Sequence, residues 1–103
     1  MFLVRVEEIE GTAFLQLCGH LDMAGIPDVK AAFDQAFDLG PVVVDLRSLT
    51  FIDSTGLGVL ISAAKARAEA GKSPVQFIRG SEQVQRVFEI TQADTFLEWL
   101  DVC

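Results

Sequence analysis

From Phe2 to Ile9 (FLVRVEEI) the chain is rich in branched and aromatic residues, with Val4, Val6 and Glu8 alternating. It breaks at Glu10-Gly11 and alternates again from Thr12 to Gly19, setting Ala13, Leu15 and Leu17 against Phe14, Gln16 and Cys18. Two period-two segments around a glycine turn predict an antiparallel hairpin. The period then changes. Val29, Ala32, Phe33, Ala36 and Phe37 follow the i, i+3, i+4, i+7, i+8 spacing of one buried helix face. Pro27 suits a first helical position, Asp28 complements the positive end, and Gly40 before Pro41 marks the stop.

PVVVDL (Pro41 to Leu46) is a short, nearly all-apolar β-branched run, the pattern of a strand covered on both faces. RSLTFID reads as a connection into a second helix, roughly Thr55 to Ala70, ended by Gly71. SPVQFI (Ser73 to Ile78) predicts another strand. Ser81 is the expected N-cap of a third helix carrying Val84, Val87, Phe88 and Thr91 at helical spacing. In the terminal TFLEWLDV, Thr95 and Glu98 resemble a capping box, and a final short strand is the alternative. The order is β-β-α-β-α-β-α plus a short last element. It predicts one α/β domain over residues 1–103, a mixed β-sheet with an N-terminal hairpin and helices packed on it. The path from PVVVDL through the second helix to SPVQFI should be a right-handed crossover.

Composition narrows the function. The 103 residues are 50% hydrophobic, and the formal net charge is −7. That balance argues against nucleic acid, whose phosphates are bound by clustered Lys and Arg, and against an anionic membrane surface. No apolar run approaches the ~18 residues of a membrane span. The opening MFLVRVEEIEG turns acidic too early for a secretory signal, so a cytoplasmic protein is expected. Cys18 and Cys103 stand too far apart in sequence to read as a disulfide framework. One His and two separated Cys do not make a metal site, and no cofactor is expected.

Familiar motifs fail on spacing. AGKS (Ala70 to Ser73) has Ala66 where a P-loop needs glycine, and it follows a helix, so it reads as a helix end. GLGVLI (Gly56 to Ile61) has Ile61 in place of the third glycine of a dinucleotide fingerprint. His20, Asp22 and Ser54 could share one sheet edge as a hydrolase triad. The G-x-S-x-G elbow is missing, however, and His20 and Asp22 are too close in sequence for an oriented relay. No catalytic residue is expected.

The informative stretch is FIDSTGLGVL, Phe51 to Leu60. Ser54 stands at an expected helix start, where serine is a good N-cap worth about 1 kcal/mol. Gly56 and Gly58 each cost ~1 kcal/mol relative to alanine inside a helix. Close packing on the sheet and a flat surface for another protein both remain open as explanations.

FIDSTGLGVLISAAKARAEAG resembles the central motif of STAS domains, specifically bacterial anti-sigma-factor antagonists, which usually read Asp-Ser-Ser-Gly-Leu-Gly there. CGHLDMAGIPDVKAAF resembles the family's Gly-Glu-Leu-Asp loop and first helix; PVVVDLRSLTFID and GSEQVQRVFEITQADTFLEWLD resemble the flanking regions. The resemblance implies a phosphorylation-controlled binding module. The unphosphorylated form would bind an anti-sigma factor that is also a GHKL-type serine kinase, phosphorylation at Ser54 would end binding, and a PP2C-type phosphatase would restore it. Asp22, Asp53, Thr55, Gly56, Leu57 and Gly58 would join Ser54 in the partner surface. Thr55 stands for the usual second serine and keeps a hydroxyl. His20 stands for the usual glutamate and removes a negative charge, which bears on which kinase is recognised. The alternatives are a STAS subunit of a lipid-transport ABC complex and a stress-signalling scaffold without a serine switch.

Overall fold

The computed structural model describes residues 1–100; Cys103 lies outside them. The hairpin forms as its alternation requires. Strand β1 (Phe2–Ile9) pairs antiparallel with β2 (Thr12–Leu21) in unbroken register from Phe2↔Gly19 to Ile9↔Thr12. Glu10 and Gly11 have φ of 50° and 83°, the positive pair that a type I′ turn uses to match the twist of its strands.

A 3-10 turn (Met23–Gly25) leads into helix α1 (Ile26–Ala36), with Pro27 in its opening turn and Val29, Ala32, Phe33 and Ala36 buried. The helix ends at Ala36, short of the expected stop at Gly40. Phe37 is its C-cap and is only half-buried. The buried Arg67 guanidinium takes up carbonyls beyond the helix, those of Phe37 (3.1 Å) and Gly40 (3.2 Å), and also that of Ser73 (3.1 Å). These bonds tie the end of α1 to a later loop.

Strand β3 (Val42–Asp45) is buried throughout and runs parallel to β2 at Ala13–Gln16. The segment after it is not the expected connection. Beyond a turn at Arg47-Ser48, β4 (Leu49–Ile52) pairs parallel with the far end of β2, His20↔Phe51 and Leu21↔Ile52. Leu49 and Ile52 are buried while Thr50 and Phe51 are exposed. The segment therefore has no alternation, and its strand character comes from its partner. The turn is held by Asp45, whose Oδ1 accepts from the Arg47 N–H (2.9 Å) and Nε (3.0 Å), and whose Oδ2 accepts from Nη2 (2.9 Å). Burial pushes the Asp45 carboxyl up, but the Arg47 hydrogen bonds and charge outweigh it and leave it below its ordinary value.

The register of β2 against β4 shifts between Gly19 and His20. Gly19 has φ +94°, and a Cβ there would run into the Met1 carbonyl. Only glycine fits such a bulge.

Helix α2 (Ser54–Glu69) closes on Ala70 and Gly71, with the Gly71 N–H donating to Ala68 O and Lys72 N–H to Arg67 O. That is a Schellman ending, so AGKS terminates a helix as its spacing predicts. Strand β5 (Val75–Ile78) lies parallel to β3, as a crossover through α2 requires. Helix α3 (Glu82–Ile90) is capped by Ser81, whose Oγ accepts from Val84 N–H.

The final element is the short strand, not a capped helix. A 3-10 turn (Ala93–Thr95) precedes β6 (Glu98–Trp99), parallel to β5. The Thr95 hydroxyl donates to Gln92 O and Glu98 lies in the strand, so no capping box forms. Trp99 decides this: its ring packs on Phe77 and Phe88, and its N–H donates to Asp94 O at 3.0 Å. The six strands run β1-β2-β3-β5-β6, with β4 beside β2. It is a mixed sheet in which the hairpin supplies the antiparallel pair. Leu15, Leu17, Val44 and Phe77 meet Val29, Phe33, Leu60 and Phe88 of the helices in one apolar core.

Candidate functional site

The end of β2 and the end of β4 lie side by side, and this adjacency assembles the site. Asp53 N–H donates to Leu21 O at 3.2 Å, which joins the Gly19-His20-Leu21-Asp22 segment to the start of α2. Leu21 is wholly buried, so the chain exposes His20 and Asp22 on either side of it.

Two carboxylates act as helix caps here. Asp22 Oδ1 accepts from Ala24 N–H (3.1 Å) and opens the 3-10 turn. Asp53, not Ser54, is the N-cap of α2: its Oδ1 accepts from Gly56 N–H at 2.8 Å. The expectation that Ser54 is the cap is corrected. Asp53 has the extended backbone angles of a cap, and its side chain takes the third helical N–H. Ser54 becomes the first helical residue. Freed from capping, its side chain is exposed, as is that of Thr55. The N–H groups of Ser54 and Thr55 belong to the opening turn, which has no intrahelical acceptors to offer them.

The two glycines have different surroundings. Gly56 is buried, and a Cβ there would lie 2.7 Å from Leu21 Cγ, 2.9 Å from Leu21 O and 3.2 Å from Ile52 Cγ1. It lets α2 approach the sheet. Gly58 is exposed, and a Cβ there would meet nothing within 4 Å. Leu57 is only 4% exposed and belongs to the core. Of the expected surface residues, Asp22, Ser54, Thr55 and Gly58 are therefore exposed, Asp53 is half-buried, and Gly56 and Leu57 lie beneath them. The helical period explains this: the core must take some residues of any helix start that lies on a sheet.

An apolar rim borders the site. Met23 is 71% and Phe51 44% exposed, next to Asp22 and three residues before Ser54. The Phe51 ring lies 5.7 Å from that of His20. The sequence did not reveal Phe51 as part of this rim, because β4 itself was not legible. The pairing also shows what His20 does. Its ring packs against Phe51 while Asp22 caps a turn, and neither side chain has a hydrogen bond to Ser54. Among the described residues, no group of three or more His, Cys, Asp or Glu could hold a metal ion. Among the same residues no helix is long and apolar enough to cross a membrane.

A family model described as "Mlab, STAS domain" matches residues 4–98. The anti-sigma-B factor antagonist of Listeria monocytogenes is 32% identical over 84 residues, which cover 80% of this chain and 73% of that protein. Among solved structures, an anti-sigma factor antagonist from Mycobacterium paratuberculosis superposes with TM-score 0.84 at 20% identity, covering 99% of this chain and 87% of that one. The antagonist SpoIIAA in its unphosphorylated form gives 0.78 at 19% identity, over 96% and 89% of the two chains. Its phosphorylated form, from Bacillus, gives 0.71 at 16%, over 96% and 92%.

Proposed function

The chain belongs to the STAS domain family, and from that premise we propose that it is an anti-sigma-factor antagonist switched by phosphorylation of Ser54. In this reading the unphosphorylated form binds an anti-sigma factor with GHKL-type serine kinase activity and frees the sigma factor. Phosphorylation by that kinase ends the complex, and a PP2C-type phosphatase restores it. The protein needs no catalysis of its own and works in the cytoplasm.

The observation that carries the reading is the position of Ser54: exposed, first in α2, directly after a cap that is already supplied by Asp53. A serine used as the cap would carry its modification on the same oxygen that accepts the helix N–H. This one is free of that duty. Phosphate adds close to two negative charges at a helix N-terminus, where the dipole and free N–H groups tolerate an anion. The fold should therefore survive, and the effect should fall on the partner. A like charge about 5 Å away across a partly desolvated interface costs on the order of 3 kcal/mol at an effective dielectric near 20. Binding then weakens roughly a hundredfold. The exposed rim of Met23 and Phe51 supplies apolar contact area beside the charge.

The test is the intact mass of the protein after incubation with ATP and lysate from its native host, followed by peptide mapping. One phosphate is expected on Ser54, present in Thr55→Ala and absent in Ser54→Ala. A second reading rests on the family model, whose description is Mlab and not antagonist: a STAS subunit of a lipid-transport ABC complex. If a control antagonist is phosphorylated in the same lysate and this chain is not, the switch is refuted and that reading takes its place.

A further inference from the structure

Strand β1 is an edge of the sheet and the longest one: among the described strands it pairs with β2 alone, while the other strands with one partner, β4 and β6, have four residues and two. The eight residues of β1 carry no proline and no bulge against β2, so it offers a long edge of the kind that templates pairing. The register shows which of its groups are free. The His20 N–H donates to Met1 O, which makes Met1/His20 a hydrogen-bonded pair in the β1–β2 register. Such pairs alternate along an antiparallel ladder. The odd-numbered residues of β1 therefore bond to β2, and the N–H and C=O groups of Phe2, Val4, Val6 and Glu8 point outward.

We propose that a second copy of this chain occupies this edge, β1 against β1 about a two-fold axis at Val6, making one continuous sheet across the pair. In that register the exposed face of the edge is complementary to itself. Centred on Val6, Arg5 faces Glu7 of the second copy and Leu3 faces its Ile9, each twice. All four side chains are exposed, Leu3 and Ile9 each at 51%. Both kinds of pair fall at non-hydrogen-bonded positions, where opposed side chains come closest. Shifting the centre to Arg5 opposes two arginines, and shifting it to Glu7 opposes two glutamates. Val6 meets its own copy beside α1, on the face where Val4 and Val6 are half-buried.

Charges on an edge strand commonly serve to repel such pairing. A basic and an acidic residue two positions apart attract under two-fold symmetry instead. The net charge of −7 on each chain opposes association, so the pair should be concentration-dependent. The Ser54 site lies beyond the Phe2 end of β1, about 13 Å along the strand from the axis. The two sites of the pair would thus sit at opposite ends of the shared sheet, both open.

Sedimentation equilibrium on the purified chain, from micromolar to millimolar concentration, tests this. A monomer–dimer equilibrium is expected. Arg5→Glu or Glu7→Arg alone turns two attractive pairs into repulsive ones and should raise the dimer dissociation constant at least tenfold. The double variant R5E/E7R should restore it. Both residues are exposed, so folding, checked by circular dichroism, is unaffected. A chain that stays monomeric at every concentration overturns the proposal, and so does a dimer that ignores the single reversals or that the double reversal fails to rescue.

Discussion

Replacing each glycine of the Gly-Leu-Gly stretch by alanine should move stability in opposite directions. Gly58 lies in the interior of α2 with open space where a Cβ would go. Alanine there gains helix propensity and narrows the unfolded ensemble, worth up to about 1 kcal/mol. In a domain of this size that is roughly 4–8 °C in Tm. Gly56→Ala would gain the same propensity but place a methyl 2.9 Å from the Leu21 carbonyl oxygen and 2.7 Å from Leu21 Cγ. That carbonyl also accepts from Asp53 N–H, so relief requires moving the backbone that joins the two halves of the site. Overpacking of this kind costs about 1–3 kcal/mol, more than the propensity gained. Urea unfolding followed by the fluorescence of the single tryptophan, Trp99, reads both effects. Gly58→Ala should also weaken partner binding, because a side chain then stands on the exposed surface beside Ser54. If the two variants shift stability in the same direction, the division of roles between the glycines is wrong. If Gly58→Ala binds as the parent does, Gly58 does not face the partner.

Other consequences follow from the buried polar groups. Arg67→Lys should destabilise the chain by about 2–3 kcal/mol in urea unfolding, since one ammonium cannot reach the carbonyls of Phe37, Gly40 and Ser73 that the guanidinium bridges; an unchanged midpoint would show that this bridge is dispensable. The Asp45 carboxyl sits below its ordinary value of 3.8 because Arg47 holds its charged form. A depressed carboxylate contributes stability that is complete above the unfolded-state value and is lost as pH falls through the folded-state value. The stability difference between the parent and Arg47→Ala should therefore be constant near neutrality and shrink in acid as the Asp45 carboxylate is protonated, measured by urea unfolding across an acid series. A difference that grows with acid would reverse the sign of this coupling.

The strand missed in the sequence and the serine misassigned as a cap have one cause. Leu49–Ile52 buries its two ends and exposes its middle, a pattern that matches neither period two nor period 3.6. It is a strand because β2 continues past Gly19 to offer it a second ladder. Ser54 and Asp53 are both good caps by residue type. The choice between them followed from where β4 ends and how Leu21 O fixes Asp53. The terminal Thr95/Glu98 pattern failed for a similar reason, as the packing of Trp99 on Phe77 and Phe88 drew the chain into the sheet.

What the sequence determined by itself is whatever depends on near neighbours along the chain. The hairpin follows from alternation and Glu10-Gly11, α1 and α3 from apolar spacing and their starts at Pro27 and Ser81, and β3 from its unbroken apolar run. The motif around Ser54 was legible through its resemblance, residue by residue, to the central motif of STAS domains. Tertiary structure decided everything that needs a distant partner: β4, the cap at Asp53, the burial of Gly56 and Leu57 against Leu21 and Ile52, and the exposure of Phe51 beside His20. Local propensities differ by about 1 kcal/mol or less for most residues. A ladder or a core contact supplied from elsewhere in the chain outweighs them, and that is why the motif could be read from sequence while its surface could not.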